Sequence, residues 1–240
     1  TESMDRLDSV FADVSGSMKE NLAPAIPRIW ESEMEELLTD LRGWLREMSR
    51  GGEAWIPTHF ELAFGLAADP ERDPASATRD VRILNGIRLR GSIDLVETIP
   101  SDSRPAVRVT DHKTGRPVRL AGGQHLEVGG GEILQPIIYG LAAEQLLDEE
   151  VESGQLFYCT RRGGYQRRIV SIHSGTCTKL KQVLETIDRN LEQGFLPAAP
   201  RPDACKSCDF QPICGPYEET RIRRKDESRL ADLNEVRRLP

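Results

Sequence analysis

The 240-residue sequence predicts one α/β domain with a central mixed β-sheet flanked by helices. Three observations lead there. An amphipathic helix follows Pro27, a group of short strand patterns occupies residues 54–112, and a helix, two strands and a further helix come after residue 132.

Residues 1–24 are polar and weakly patterned, and read as a lead-in. From Pro27, RIWESEMEELLTDLRGWLREMSR places Ile29, Trp30, Met34, Leu37, Leu38, Leu41, Trp44, Leu45 and Met48 three and four apart, the spacing of one helix face. Pro27 suits a first turn, Gly51-Gly52 would end the helix, and Trp30 and Trp44 read as packing anchors. A strand is expected near 54–64 (AWIPTHFELAF), then a loop over 66–80 carrying Asp69-Pro70 and Asp73-Pro74. Strands follow over 81–97, broken at Asn85-Gly86, and over 105–112. Gly129-Gly130-Gly131 precedes an apolar helix, EILQPIIYGLAAEQLLDE. The strands QLFYCT and QRRIVSI flank a turn at Arg161-Arg162-Gly163-Gly164, and a helix covers 175–193. The expected division is a core over 25–200, a cysteine-rich clamp over 201–216 and a charged tail over 217–240 that frays or forms a solvated helix.

Composition narrows the function classes. A net charge of −7 excludes an indiscriminately basic nucleic-acid coat but allows a local basic groove. No run of 18 apolar residues exists, which argues against a membrane helix, and the first residues lack the features of a signal peptide. The sequence starts at Thr1 rather than Met, as a piece of a longer protein would. Five cysteines, three of them crowded together, do not read as a secreted disulfide framework, so a cytoplasmic protein is expected.

The chemistry concentrates in GSIDLVETIPSDSRPAVRVTDHKTG, residues 91–115. Alternation along a strand puts Asp111 and Lys113 on one face and the His112 side chain on the other. Antiparallel pairing of the two strands would bring Asp94 beside Asp111. Two carboxylates at one ammonium need compensation, and a hard divalent cation supplies it. With phosphate as substrate, the parts suit metal-assisted phosphodiester hydrolysis, the lysine orienting water and meeting the developing charge. The competing reading of the triplet alone is a pair of strand-end aspartates with a surface lysine.

Gly91-Ser-Ile-Asp94, then Asp111-His-Lys-Thr-Gly115, then Gln135-x-x-x-Tyr139 resembles the RecB-like nucleases, a branch of the PD-(D/E)XK superfamily that includes the nuclease domains of RecB, AddA and AddB; the AddB type is the nearest in pattern. The resemblance covers residues 55–215 and implies a restriction-endonuclease-like fold. It also implies Mg²⁺ or Mn²⁺ at Asp94, Asp111 and the His112 backbone carbonyl, a catalytic Lys113, and Gln135 and Tyr139 lining the site. Glu61 in HFELAFG falls where relatives carry an acidic residue and is a second-tier metal ligand. The implied activity is DNA hydrolysis, exonucleolytic on single strands or ends, in repair or recombination beside a helicase. A non-catalytic DNA-binding or scaffolding version of the same fold is the alternative.

Cys205, Cys208 and Cys214 form C-x₂-C-x₅-C in PDACKSCDFQPIC, a spacing that suits zinc or an iron–sulfur cluster. By the resemblance they match the C-terminal part of a four-cysteine 4Fe–4S staple in the full-length protein. The first cysteine of that staple, and a helix-borne histidine, would lie upstream. A zinc-binding interaction module over 203–216 is the other reading. Arg161, Arg162, Arg167 and Arg168 around the hairpin, with Arg116 and Arg119 after the Asp-x-Lys strand, are candidate DNA-backbone contacts.

Overall fold

The computed structural model describes residues 2–50, 55–101, 104–117 and 126–240; Gly51, Gly52 and Arg119 lie outside them. By its contacts the chain forms two compact units, one of residues 1–121 and 135–172, the other of residues 122–134 and 173–240. The sequence drew a single core over 25–200 instead.

In the first unit, α1 (Glu2–Leu22) and α2 (Pro27–Arg50) precede β1 (Ile56–Phe64). A small hairpin of β2 (Val81–Arg82) and β3 (Arg88–Leu89) comes next, then β4 (Gly91–Ile99) and β5 (Ala106–Lys113). Helix α3 (Gln135–Leu147) crosses to β6 (Val151–Tyr158), and β7 (Arg167–Ser171) closes the unit. The main sheet has the order β1-β4-β5-β6-β7. Only β5 and β6 pair in parallel; the other neighbours are antiparallel. A parallel pair cannot be joined by a tight turn, so α3 is the crossover that the topology requires. The result is the mixed sheet flanked by helices that the sequence predicts.

Strand β5 is at the centre. Val107, Arg108, Val109, Thr110 and Asp111 are consecutively buried, as expected of a strand covered on both faces. Phe64, Ile93, Val96, Ile137 and Phe157 are wholly enclosed around it. Each side chain of this size contributes about 1.5–3 kcal/mol by leaving water. One face also holds a polar cluster. Arg108 donates two hydrogen bonds to Glu97, both 3.0 Å, and Thr110 donates to Glu97 Oε2 at 2.7 Å. Gln155 Nε2 donates to Thr110 Oγ1 at 2.7 Å, linking β4, β5 and β6.

Two expectations are corrected here. The lead-in is a helix, and it is tied to α2 by two hydrogen bonds that Arg42 donates to Asp8, at 2.9 and 2.6 Å, a partner that its own weak pattern does not announce. Helix α3 starts at Gln135 rather than at Glu132. Gly129–Gly131 form a 3-10 turn with Gly130 at φ +65°, and Pro136 fits the first helical turn, where its missing N–H costs nothing.

In the second unit, α4 (Ser174–Glu192) is capped by the His173 ring, which accepts from the N–H groups of Gly175 and Thr176. The short helices α5 (Gln211–Cys214) and α6 (Glu218–Arg221) follow, and α7 (Ala231–Val236) comes last. The expected fraying tail is docked instead. Leu230 and Val236 are buried, and Pro240 accepts hydrogen bonds from Val128 and Gly129 at 2.7 and 2.9 Å.

Candidate active site

The β4–β5 register pairs Leu95 with Thr110, and continuing it by one residue sets Asp94 opposite Asp111. Behind β5, Gly154 of β6 allows α3 to approach closely. A Cβ at Gly154 would lie 2.2 Å from the Pro136 carbonyl oxygen, so only glycine lets the start of α3 sit there. Gln135, one residue earlier, is thereby held over β5.

Lys113 Nζ donates to Gln135 Oε1 at 2.8 Å, and Gln135 Nε2 donates to Asp111 Oδ1 at 3.1 Å. The Tyr139 hydroxyl, one helical turn on, is 3.4 Å from Gln135 Nε2. Lys113 Nζ also lies 2.6 Å from Asp111 Oδ2. Oδ2 is buried, and the Lys113 ammonium is its partner. Asp94 Oδ2 accepts from the backbone N–H of His112 at 2.7 Å. The structure thus brings together Asp94, Asp111, Lys113, Gln135 and Tyr139.

The two aspartates have opposite electrostatics. Burial pushes the Asp111 carboxyl above the usual carboxylate range; Lys113 offsets part of the rise, and the charge of Asp94 adds to it. Burial acts the same way on Asp94, but hydrogen bonds from His112 and the charge of Lys113 outweigh it and hold its carboxyl low. One carboxylate is well supported and the other is under-compensated.

The His112 ring sits on the face away from Lys113, as alternation requires, but it is not detached from the site. Trp44 of α2 donates its indole N–H to His112 Nε2 at 3.3 Å, and the ring packs against Trp44 and Phe157. An indole can only donate, so the neutral ring carries its proton on Nδ1. That nitrogen is 3.7 Å from Asp94 Oδ2. No residue of α2 is fully buried, so Trp44 acts as a support for His112 more than as a core anchor.

Glu61 is exposed, has φ +52°, and accepts from Ser92 Oγ at 3.0 Å. His59 is tied to the loop after β1, its Nδ1 being 3.1 Å from Asp73 Oδ1. Of the hairpin arginines, Arg161 pairs with Asp40 of α2 at 3.0 Å. Arg167 stacks on Phe157, 4.4 Å from the ring centroid, and reaches the Glu47 carbonyl. Arg168 is half-buried, whereas Arg116 and Arg162 are exposed.

Among the described residues, no three His, Cys, Asp or Glu side chains are arranged to hold a metal ion. The Asp94–Asp111 pair still fits one kind of ion. Mg²⁺ is held by one or two carboxylates with water and substrate phosphate completing its shell, and Asp94 and Asp111 set two carboxylates around the single ammonium of Lys113, an imbalance such an ion would compensate. The cysteines fit less well. Cys205, Cys208 and Cys214 are free thiols around one surface hollow of about 440 Å³ in the second unit. Burial, then Glu219 and the other two cysteines, push the Cys205 thiol upward. These residues alone do not make up an iron–sulfur or zinc ligand set.

Sequence reasoning missed Trp44, Gly154 and the Glu97–Arg108 pair as positioning residues. A lone glycine in the strand pattern VESGQLFY was a readable signal for a close approach; the other two are tertiary contacts with no local mark.

A family model described as the PD-(D/E)XK nuclease superfamily matches residues 2–215. No curated protein matches the chain.

Proposed function

Because the chain belongs to the PD-(D/E)XK nuclease superfamily, we propose that it is a metal-dependent deoxyribonuclease domain using Asp94, Asp111 and Lys113 to hydrolyse phosphodiester bonds. Membership of the superfamily implies nuclease activity in general, and its nucleases generally use Mg²⁺ or Mn²⁺. The observation that carries the reading is the Lys113–Gln135–Asp111 triangle with Asp94 set across the sheet from it.

Asp94 and Asp111 would hold the ion, with the His112 carbonyl as a backbone ligand and Glu61 in a secondary role. When bound, the ion neutralises phosphate charge and makes water a better nucleophile. Lys113 orients water toward the phosphorus and meets charge developing on the phosphate oxygens. Gln135 fixes Lys113 relative to Asp111, and Tyr139 bounds the site. Arg116 and Arg162, exposed near β5 and the β6–β7 turn, are offered to a DNA backbone. The likeness to RecB-like nucleases extends the proposal to exonucleolytic action on single strands or ends, in the cytoplasm, alongside a helicase. Among the described residues no helix is long and apolar enough to cross a membrane.

The alternative is a scaffold that binds DNA without cutting it; it is favoured by the lack of a third acidic or histidine ligand among the described residues. Titrating Mg²⁺ or Mn²⁺ into protein with end-labelled single-stranded DNA separates the two. Cleavage that appears with the ion and disappears with EDTA supports the nuclease; undiminished binding with no cleavage at any ion concentration supports the scaffold.

A further inference from the structure

The β2–β3 hairpin stands immediately before β4, the strand that bears Asp94. Residues 79–90, TRDVRILNGIRLR without its first threonine, hold Arg79, Arg82, Arg88 and Arg90 against a single acid, Asp80, for a net charge of +3 in a chain of −7. Asn85-Gly86, with φ of +58° and +76°, makes the tight turn that right-twisted strands prefer.

The pairing puts Arg82 directly across from Arg88. Like charges in direct cross-strand register repel, and nothing in the fold relieves them fully. Asp80 is shared by Arg88 at 3.6 Å and Arg90 at 3.9 Å, whose side chains remain 66% and 69% exposed. Among the described residues, Arg79 and Arg82 have no acidic side chain within ion-pairing distance. The hairpin is not loosely tethered either. Val81 and Ile83 are buried, Gln145 of α3 donates to the Arg82 carbonyl, and the Gly65 N–H donates to the carbonyls of Ala77 and Arg79. Its inner positions are fixed while its outer positions present positive charge that Asp80 only partly offsets.

We infer that this hairpin is a docking surface for the phosphate backbone of the nucleic acid that the site cleaves, an inference that rests on the nuclease reading. Arg82 and Arg88 are its centre. Distance supports a single continuous ligand: Arg88 is six residues from Asp94, at most about 22 Å of chain. A nucleic-acid strand at ~3.4 Å per phosphate covers that span in roughly six nucleotides. The contacts are to backbone, so they carry affinity and register without sequence preference.

The test is fluorescence anisotropy with a labelled oligothymidylate, in EDTA to prevent cleavage, between 50 and 200 mM KCl, on wild type and Arg82→Ala/Arg88→Ala. Each phosphate contact on a single strand contributes ~0.7 to the salt slope, so the double variant should lose about 1.4. Raising the salt fourfold then costs the wild type roughly seven-fold more affinity than the variant. In Mg²⁺ the variant should show a raised KM with kcat retained, and its melting temperature should not fall. A wild type that binds and cleaves, with a double variant of the same slope and KM, overturns the hairpin assignment alone. A wild type that neither binds nor cleaves overturns the nuclease reading and this inference with it.

Discussion

Asp94 and Asp111 face each other across one strand pair, yet burial leaves them with opposite needs. The raised carboxyl of Asp111 means that the fold favours its neutral form. Its contribution to stability is full below the unfolded value of about 3.9 and is lost as pH rises through the folded one, so at neutral pH the ionised form is a cost. Asp111→Asn should therefore leave the melting temperature of metal-free protein unchanged or raise it. Asp94→Ala should lower stability by about 1–3 kcal/mol, because it strips the acceptor from the His112 N–H. Chemical denaturation in EDTA measures both, and a large loss on Asp111→Asn would refute the assigned electrostatics. Much of this was legible: alternation put Asp111 and Lys113 together, and Asp94 needed only antiparallel pairing. The hold of Trp44 on His112 was not, because it joins residues 68 positions apart.

Between elements, register decides whether the aspartates meet at all. The Glu97–Arg108–Thr110–Gln155 cluster ties three strands at adjacent positions, and Glu97 is 1% exposed. Glu97→Ala would leave a buried guanidinium unpaired and should cost about 3–5 kcal/mol by urea denaturation. The loop after β1 depends on a different carboxylate. Burial raises Asp73, but hydrogen bonds from Ala75, His59 and Phe60 outweigh it and hold its carboxyl low. Its stabilisation is present above the unfolded value of about 3.9 and is lost as pH falls through the folded one. Proteolysis of the 66–80 loop should accelerate in that acid window, and Asp73→Asn should flatten the response. The sheet strands and helices α2 and α4 were readable from periodicity, whereas α1, read as a lead-in, was not. The start of α3 was not, since apolar Ile133 and Leu134 continue the helical pattern across a turn that Gly130 and Pro136 set aside.

Across the molecule, the superfamily and its mixed sheet were legible because the site motifs sit on consecutive central elements, so that spacing in sequence reflects spacing in the fold. The two-unit division was not, because residues 122–134 join a unit whose remainder begins at 173. No local pattern marks a segment whose partners are more than 100 residues away, as Val128 and Pro240 are. The same distance hid the docked tail, whose charge suggested solvent while Leu230 and Val236 supply its anchors.

The central claim is that Asp111 and Lys113 act together in metal-dependent phosphodiester hydrolysis. The most direct measurement is Mg²⁺-dependent release of nucleotides from end-labelled single-stranded DNA by wild type, Asp111→Asn and Lys113→Ala. Circular dichroism would confirm that each is folded. Wild-type cleavage with loss of at least about 100-fold in both variants is the predicted result, in keeping with the size of general-acid–base and electrostatic contributions. Folded variants that cleave at the wild-type rate would contradict it.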